Sequence, residues 1–422
     1  MKLRAKHNNI YFLTIFLTIS LGIASCGSSD SIPNFTSSNT GPYILNAEHL
    51  ELIKDTLEHD PLLQESFSKL MQGADSLLTT SFEYVTDKKE APDGGSINDY
   101  MSIHRYSHID SQGNPYYDES KNNPLVDEYD RVRLSRFSSA VYTLSLAYFY
   151  SNDEKYAEKA SQLISNWFFE TETRMNPHLD YAQVRLGQTG TGGGGSQGII
   201  DANDFILVIE AVSLLYDSYH WNNDNHKNLK EWFYHFSEWI QRNYNADAYS
   251  TTNISTWMDV QRSVYLLFTE QEDRLNSNFH VPPVSERIQH QISPMGIQAY
   301  ESGRPRSQHY VYFNLRGFMN LANIRKNRTG NDRDWPFLNS DDHGGLKPAL
   351  DQLVDYVDGS SPSQFFDTNP NFDSCRYLEI FKPAAVIFNA KIYDEAAQKL
   401  LNRGCRNSNI SLTYPALNLL GS

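Results

Sequence analysis

The segment Glu301–Tyr310 places two arginines, a histidine and a tyrosine within ten residues, in the order Arg304, Arg306, His309 and Tyr310. An apolar run follows at once, so this segment opens a predicted helix. Arginine binds carboxylates through paired N–H donors, and tyrosine or histidine can exchange a proton beside it. The spacing indicates a site that holds an anionic group and moves a proton next to it. An N-terminal helix turn with solvated charged side chains would give the same sequence pattern.

The N-terminal 25 residues are typical of a secretory signal, with Lys2, Arg4 and Lys6 ahead of the apolar stretch 11–24. Cys26 follows in "IASC", which resembles the lipobox of bacterial lipoproteins, where the cysteine carries the lipid. We expect residues 1–25 to be a lipoprotein signal peptide and residues 26–42, rich in Ser, Thr, Gly and Pro, to be a flexible tether. The protein would then reside in the bacterial cell envelope, periplasmic or surface-facing, and meet the membrane only through this anchor.

Three cysteines are present, so Cys375 and Cys405 remain if Cys26 carries lipid. In an oxidising compartment this pair predicts one disulfide between the C-terminal helices. The sequence has no CxxC or HExxH motif, and the spacing of His104 and His108 is a weak metal signal. We therefore expect neither a metal nor another cofactor.

The formal charge of −15 and the pI near 5.3 argue against a nucleic-acid partner. Any polyanionic substrate must then be attracted by a local arginine cluster rather than by the overall charge. The aromatic content of 13% suits sugar stacking, but a large helical core uses aromatics equally well. We expect a monomer.

Helical periodicity extends through almost the whole chain, and no convincing run of alternating strand residues appears. One apolar stripe has the i, i+3, i+7 spacing of a helix face: Leu134, Phe137, Val141, Leu144 and Tyr148. Further helices are predicted near 154–167, 205–215, 227–243, 256–270, 284–292, 307–325, 347–357 and 376–403. The fold class is therefore all-α, either an (α/α) toroid or a solenoid, and the lack of a fixed-period repeat favours a toroid in one domain, residues 43–422. The glycine run 187–198 follows no strand, which argues against a dinucleotide site and favours a mobile loop over a cleft.

Five segments, read in order, resemble alginate lyase-like polysaccharide lyases: "NDYMSIHRY" (98–106), "GNPYYDESKNNP" (113–124), "ETRMNPHLDYAQ" (172–183), "NISTWMDVQ" (253–261) and "GRPRSQHYVYFNL" (303–315). The resemblance implies an incomplete (α/α) toroid with a central substrate groove. It also implies cleavage of a uronic-acid polymer by β-elimination, in which the C5 proton is removed and the O4-linked sugar is expelled. The substrate would be alginate, a polymannuronate-type polymer or glucuronan.

The chemistry explains which residue types the reaction needs. The substrate carboxylate must be neutralised before C5 becomes acidic, and a base and an acid must then move the proton. By the resemblance, Asn253 holds the carboxylate, Tyr310 is the catalytic tyrosine, and Arg304 or Arg306 stabilises its phenolate and lowers its pKa. His309 is a further catalytic candidate.

Eight residues in the same segments are expected to contact the saccharide: Arg105, Tyr106, His108, Asn176, His178, Gln183, Trp257 and Gln261. Three of them have an alternative structural role, because Asn176, His178 and Gln183 could equally stabilise the turn that contains them.

The chain also departs from the family pattern. Ile254 stands where the family's usual histidine base is found, a usual lysine is missing near Ile97, and Ser107 and His108 replace common tryptophans. Three hypotheses therefore stay open: an active lyase, a binding lipoprotein that has lost catalysis, and a hydrolase using carboxylates such as Asp99, Asp201 and Glu301. For a lyase, Tyr310 acting as both base and acid predicts mannuronate- or glucuronate-type linkages, whereas His309 or His108 as a separate base would admit guluronate.

Overall fold

The computed structural model describes residues 41–187, 194, 196–244, 250–271, 273–275, 284–329, 345–359 and 371–420. The expected signal peptide, Cys26 and almost all of the expected tether lie outside these ranges. So do residues 188–193 and 195, which make up most of the glycine run.

The described residues are mainly helical. The α-helices are α1 Ala47–Thr56, α2 Pro61–Leu78, α3 Asp130–Ser151, α4 Glu154–Phe168, α5 Phe205–Leu214, α6 Asn223–Asn243, α7 Asn253–Phe268, α8 Val284–Gln291, α9 Ala299–Ser302, α10 Ser307–Thr329, α11 Leu346–Asp358, α12 Leu378–Phe388, α13 Lys391–Asn402 and α14 Ser408–Ser411. Short 3₁₀ turns occupy Val85–Asp87, Pro124–Glu128, Ser196–Asp204, Ser374–Tyr377 and Leu417–Leu419.

The helices form the expected (α/α) toroid. An inner ring runs from α3 through α5, α7 and α10 to α12, and α14 and α2 close it back onto α3. Outer helices pack behind the ring, with α4 on α3, α6 on α7 and α13 on α12. Within the described ranges, no helix is long and apolar enough to cross a membrane.

The α3–α4 corner shows how the sequence specifies this pairing. All five residues of the predicted stripe on α3 are buried. Asn152 ends α3 in the left-handed conformation with φ 54°, and Asp153 caps α4 by accepting a hydrogen bond from the Lys155 backbone N–H. The two helices therefore reverse direction within two residues and share one apolar interface.

Four short strands interrupt the helices where sequence analysis found none. Strand β1 (Met101–Ile103) pairs in parallel with β4 (Tyr181–Val184), and β2 (Ser107–Ile109) pairs with β3 (Pro115–Tyr117) as an antiparallel hairpin. Each is only three or four residues long, which is too short for an alternating pattern to stand out.

The two predicted disulfide partners, Cys375 and Cys405, are bonded, and their Cα atoms lie 5.1 Å apart. The bond joins the 3₁₀ turn that leads into α12 to the segment after α13. The predicted single helix 376–403 is two helices in the structure, because Asn389 adopts the left-handed conformation and ends α12.

Helices α7 and α10 approach each other closely at Gly317. A β-carbon added there would lie 2.9 Å from Thr256 Cγ2 and 3.4 Å from the Trp257 ring. This glycine lets α7 and α10 pack together about one turn after the start of α7 and nearly three turns after the start of α10.

Candidate active site

The first turn of α7 presents Asn253, whose side chain is 2% exposed. Its backbone N–H and its side-chain Nδ2 both donate to Glu301 Oε1, over 2.7 and 2.8 Å. An asparagine amide has two N–H groups, so one is left for another acceptor. Glu301 thus fixes the direction in which the Asn253 amide points. The N-cap position belongs to Thr252, so Asn253 is not an ordinary helix cap.

Arg304 connects Glu301 to Tyr310. The Arg304 guanidinium carbon lies 3.4 Å from the centre of the Tyr310 ring, and Nη1 is 3.4 Å from Glu301 Oε2. Asn253 and Tyr310 are far apart in the sequence, yet the carboxylate of Glu301 and the cation of Arg304 link them in one cluster. Because Tyr310 is on the first turn of α10, the clustered groups lie where two neighbouring inner helices begin.

The hairpin β2–β3 and the segment after it cover this cluster. The Tyr106 hydroxyl is hydrogen-bonded to the Tyr310 hydroxyl, and Arg304 pairs with Glu119, with Nε 2.8 Å from Oε1. Arg306 donates to Asn122 Oδ1 over 3.0 Å and to the Glu119 carbonyl over 3.2 Å. Tyr310 is consequently only 7% exposed. Arg306 therefore fastens the covering segment, whereas Arg304 contacts the tyrosine itself.

The pKa of Tyr310 is raised above its ordinary value of 10.0. Burial is the main cause and Tyr106 adds to it, while Arg304 acts in the opposite direction. The prediction that an arginine lowers this pKa is right about Arg304's contribution and wrong about the net shift. Desolvation of the phenolate outweighs one stacked cation in the covered site, so Tyr310 holds its proton at neutral pH.

The two candidate histidines are poorly suited to act as bases here. Burial lowers the pKa of His309 to about 4, and the charges of Arg376, Arg105, Arg306 and Arg304 add to the effect. Its ring lies stacked against Phe313, with centroids 6.1 Å apart. His108 is buried and stacked on Tyr116, and its Nε2 has no hydrogen-bond partner among the described residues.

Three of the expected saccharide ligands use their side chains to hold the protein together. Asn176 Nδ2 and His178 Nε2 both bind Asp99 Oδ1, over 2.6 and 3.0 Å. Gln183, with φ 53°, donates to Asp201 Oδ1 over 2.9 Å. These contacts support the alternative in which the three residues fix their turns.

Two further candidates are buried on α7. Gln261 is fully buried and donates to the backbone carbonyls of Ile199 and Trp257, so its side chain is engaged within the protein. Trp257 is 1% exposed, stacks on Phe313 with centroids 4.8 Å apart, and donates to the Phe313 carbonyl. Sequence spacing could not separate an inward-facing helix position from a groove-facing one.

Arg105 and Tyr106, by contrast, lie at the covered site. Arg105 is half-buried, and its charge acts on His309. Within the described ranges, the Arg105 side chain has no ion-pair or hydrogen-bond partner, so it is available to an anionic ligand.

The carboxylates that a hydrolase would need are already engaged. Asp99 accepts from Asn176 and His178, and Glu301 accepts from Asn253 and Arg304. Asp201 accepts from Tyr100, Ser102 and Gln183. The three carboxylates named for a hydrolase are therefore all hydrogen-bonded within the protein.

The sequence did not predict that Glu119 pairs with Arg304 or that Asn122 accepts from Arg306. It also did not predict that Glu301 links Asn253 to Arg304. The acidic Glu119 and Glu301 could have been suspected, since an arginine cluster in a net-acidic chain needs nearby counter-charges. Nothing in the sequence indicates which carboxylates those are, because the contacts span 185 and 48 residues.

A family model described as alginate lyase matches residues 84–363. The crystal structure of an alginate lyase from Bacteroides ovatus is similar over 89% of this chain and 99% of its own, with 29% identity and a TM-score of 0.79. No curated protein matches the chain.

More distant structures share the fold. Alginate lyase A1-III from Sphingomonas species A1 matches over 87% of this chain and 94% of its own, with 12% identity and a TM-score of 0.50. A histidine-to-alanine variant of alginate lyase A1-III complexed with a tetrasaccharide matches over 91% and 98%, with 12% identity and a TM-score of 0.54.

Proposed function

Because this chain belongs to the alginate lyase family, we propose that it is a polysaccharide lyase that cleaves a uronic-acid polymer by β-elimination. The observation that carries the proposal is the cluster in which Glu301 links the amide of Asn253 to Arg304, and Arg304 stacks on Tyr310. A carboxylate-binding amide, a cation and a phenol side by side are the three groups that elimination from a uronate needs.

Each group has one task in the proposed reaction. The free N–H of Asn253 binds the substrate carboxylate and stabilises the enediolate that forms when C5 loses its proton. The Tyr310 oxygen takes that proton, the C4–O4 bond breaks as the C4–C5 double bond forms, and the tyrosine returns the proton to O4. Arg304, above the ring, stabilises the transient phenolate.

The proposed role as base requires the covering hairpin to move. The Tyr310 hydroxyl is buried and hydrogen-bonded to the Tyr106 hydroxyl, so neither the substrate C5 nor a water reaches its oxygen in this conformation. Opening of the hairpin would expose the phenol and relieve the desolvation that raises its pKa, while Arg304 stays on the ring. We therefore propose that the structure corresponds to the state in which the hairpin is closed over Tyr310.

We further propose that the substrate is mannuronate- or glucuronate-type, as in polymannuronate stretches of alginate or in glucuronan. Ile254, half-buried against the core, offers no base, and the low pKa of His309 makes it a poor one. One tyrosine can remove the C5 proton and protonate O4 only when both lie on the same face of the ring. That arrangement exists in mannuronate and glucuronate, whereas guluronate needs groups on opposite faces.

Tyr310→Phe tests the catalytic assignment. The variant keeps the ring under Arg304 and loses only the hydroxyl, so we expect turnover to fall by at least about a hundredfold with oligosaccharide binding largely kept. Elimination is measured by the ultraviolet absorbance of the new conjugated double bond. Near-normal turnover in the variant would refute the assignment.

The same assay distinguishes the alternatives for the wild-type protein. A hydrolase would form reducing ends without the absorbance, and a binding protein that has lost catalysis would form neither. A wild-type enzyme that cuts only polyguluronate would overturn the proposed substrate.

Ile254→His tests the base directly. A histidine beside Asn253 would supply a second proton acceptor at the first turn of α7. We expect the variant to gain activity on polyguluronate that the wild type lacks, with polymannuronate activity retained. Ile254→Gln, of similar size and without a titrating group, is the control and should show no such gain.

We also propose, on the N-terminal sequence alone, that the mature protein is anchored in the cell envelope by lipid on Cys26. Mass spectrometry of its N-terminal peptide tests the modification, and an unmodified Cys26 would contradict it.

A further inference from the structure

A cavity with about 210 Å³ of internal space lies on the axis of the toroid, below the catalytic cluster. Helices α3, α5, α7, α10 and α12 contribute to its wall, as do residues between 407 and 414. The space is many times what one buried water needs. Ser139, in the middle of α3, is exposed and lines this space.

The wall has the chemistry of a sugar site. The amides of Asn203, Asn320 and Asn409 line it, and within the described ranges these side chains have no hydrogen-bond partner. Arg316 also lines it and pairs with Glu379 over 3.2 Å. Amides and a balanced charge pair beside an aromatic ring are the groups that bind sugar hydroxyls and orient a ring.

A stack of aromatic rings connects the wall of the cavity to the catalytic cluster. Trp257 forms one wall and stacks on Phe313, and Phe313 stacks on His309, the neighbour of Tyr310. Trp257 is one turn below Asn253 on α7. Arg316 and Asn320 lie on α10 at about 9 and 15 Å below Tyr310, given the helical rise per residue.

The far end of the cavity is closed. Glu210, in the middle of α5, accepts hydrogen bonds from the backbone N–H groups of Tyr43, Ile44 and Leu45, over 2.9–3.1 Å. Asn327, near the end of α10, donates to the carbonyls of the same three residues. The segment 43–45 therefore crosses the bottom of the ring, and Ile44 and Leu45 form part of the cavity wall.

We infer that this cavity is a subsite for the terminal sugar residue of the uronate chain, so that the enzyme cuts from chain ends. A closed subsite accepts a terminus and excludes a continuous polymer, whereas an open groove accepts any internal linkage. The amides would bind the terminal hydroxyls, with Arg316 facing the carboxylate. This inference rests on the proposed lyase function and adds the mode of attack.

Product analysis of the wild-type enzyme on a long polyuronate tests the inference. We expect the shortest unsaturated products from the earliest times, while the average length of the remaining polymer and the viscosity fall slowly. Rapid viscosity loss with a ladder of intermediate lengths would overturn the terminal subsite and leave the lyase function intact. Absence of unsaturated products altogether would instead overturn the lyase function.

Ser139→Phe tests the cavity itself. A phenyl ring at this exposed helix position would fill the space, and we expect kcat/KM on polymer to fall by about tenfold or more. Ser76→Phe, the same change at an exposed position of α2, is the control and should behave like the wild type. Equal kcat/KM for the two variants would overturn the inference. If Ser139→Phe fails to fold by circular dichroism, the wild-type product profile still decides the question.

Discussion

At the scale of single residues, the state of Tyr310 depends on its neighbours. Burial and the Tyr106 hydroxyl raise its pKa, and the Arg304 cation lowers it by a smaller amount. The protonated phenol is ready to act as an acid, whereas its action as a base requires the proton to leave. The reaction should therefore be limited by the deprotonated fraction of Tyr310 wherever the pH lies below its pKa.

Arg304→Met should displace the pH dependence toward alkaline pH. For the wild type we expect kcat/KM to rise with pH through the neutral and mildly alkaline range, by at most about tenfold per unit, because only the phenolate accepts the C5 proton. Methionine keeps much of the side chain's bulk and removes the cation that lowers the Tyr310 pKa. The rising limb should then move to higher pH, and kcat/KM at neutral pH should fall.

The control for this experiment is Arg306→Met. The Arg306 guanidinium lies over the Tyr106 ring, at 5.2 Å, rather than over Tyr310. Its removal should loosen the hairpin and displace the pH profile less than removal of Arg304. A wild-type profile that falls with rising pH through the neutral range would contradict Tyr310 as the base.

The sequence identified Asn253, Arg304 and Tyr310 through residue type and family resemblance, and the structure brings them together. It could not predict the net pKa shift of Tyr310, because desolvation depends on the hairpin that folds over the ring. For the same reason it could not rank Arg304 above Arg306. Nor could it predict that the Gln261 side chain is buried and hydrogen-bonded to backbone carbonyls, because neighbouring positions on an inner helix face either the groove or the core.

At the scale of elements, long helices were predictable and short pairings were not. The stripe on α3 and the apolar runs of α7 and α10 repeat over several turns, so their period survives in the sequence. The hairpin β2–β3 has three residues per strand, and its exposed Tyr116 and Tyr117 resemble loop residues. This covering element is nevertheless the one that decides the exposure of Tyr310.

Gly317→Ala should destabilise the protein although alanine favours helix. A methyl group at this position would lie 2.9 Å from Thr256 Cγ2, so α7 and α10 must separate or distort. We expect a loss of about 1–3 kcal/mol in the free energy of unfolding, as for other overpacked interfaces. Because α7 carries Asn253 and α10 carries Tyr310, kcat should fall as well.

The control is Gly73→Ala in α2, where an added β-carbon would meet no atom within 4 Å. There the helix propensity acts alone, and the variant should be more stable by about 0.5–1 kcal/mol with unchanged turnover. Denaturant unfolding and the absorbance assay on both variants measure the two effects. Equal stabilisation by both substitutions would show that the α7–α10 interface accommodates an added methyl group without distortion.

At the scale of the whole molecule, the overall charge and the proposed substrate have the same sign. The chain carries −15 formal charges and would act on a polyanion. Arginines near the site oppose this locally. Arg105 and the exposed Arg185 make no ion pair or side-chain hydrogen bond with the part of the chain that the structure describes. The net charge of the protein therefore repels the polymer at long range, whereas the arginines attract it at short range.

Salt should separate these two effects. The Debye length shrinks from about 30 Å at 0.01 M to about 10 Å at 0.1 M, so moderate salt screens the net charge more than it screens contacts inside the site. We expect kcat/KM on long polyuronate to rise as sodium chloride increases through this range, and to fall at higher salt as the arginine contacts weaken. A trisaccharide, which carries few charges, is the control and should show a much smaller rise. A steady decline from the lowest salt would mean that the arginines, rather than the net charge, govern the approach of the polymer.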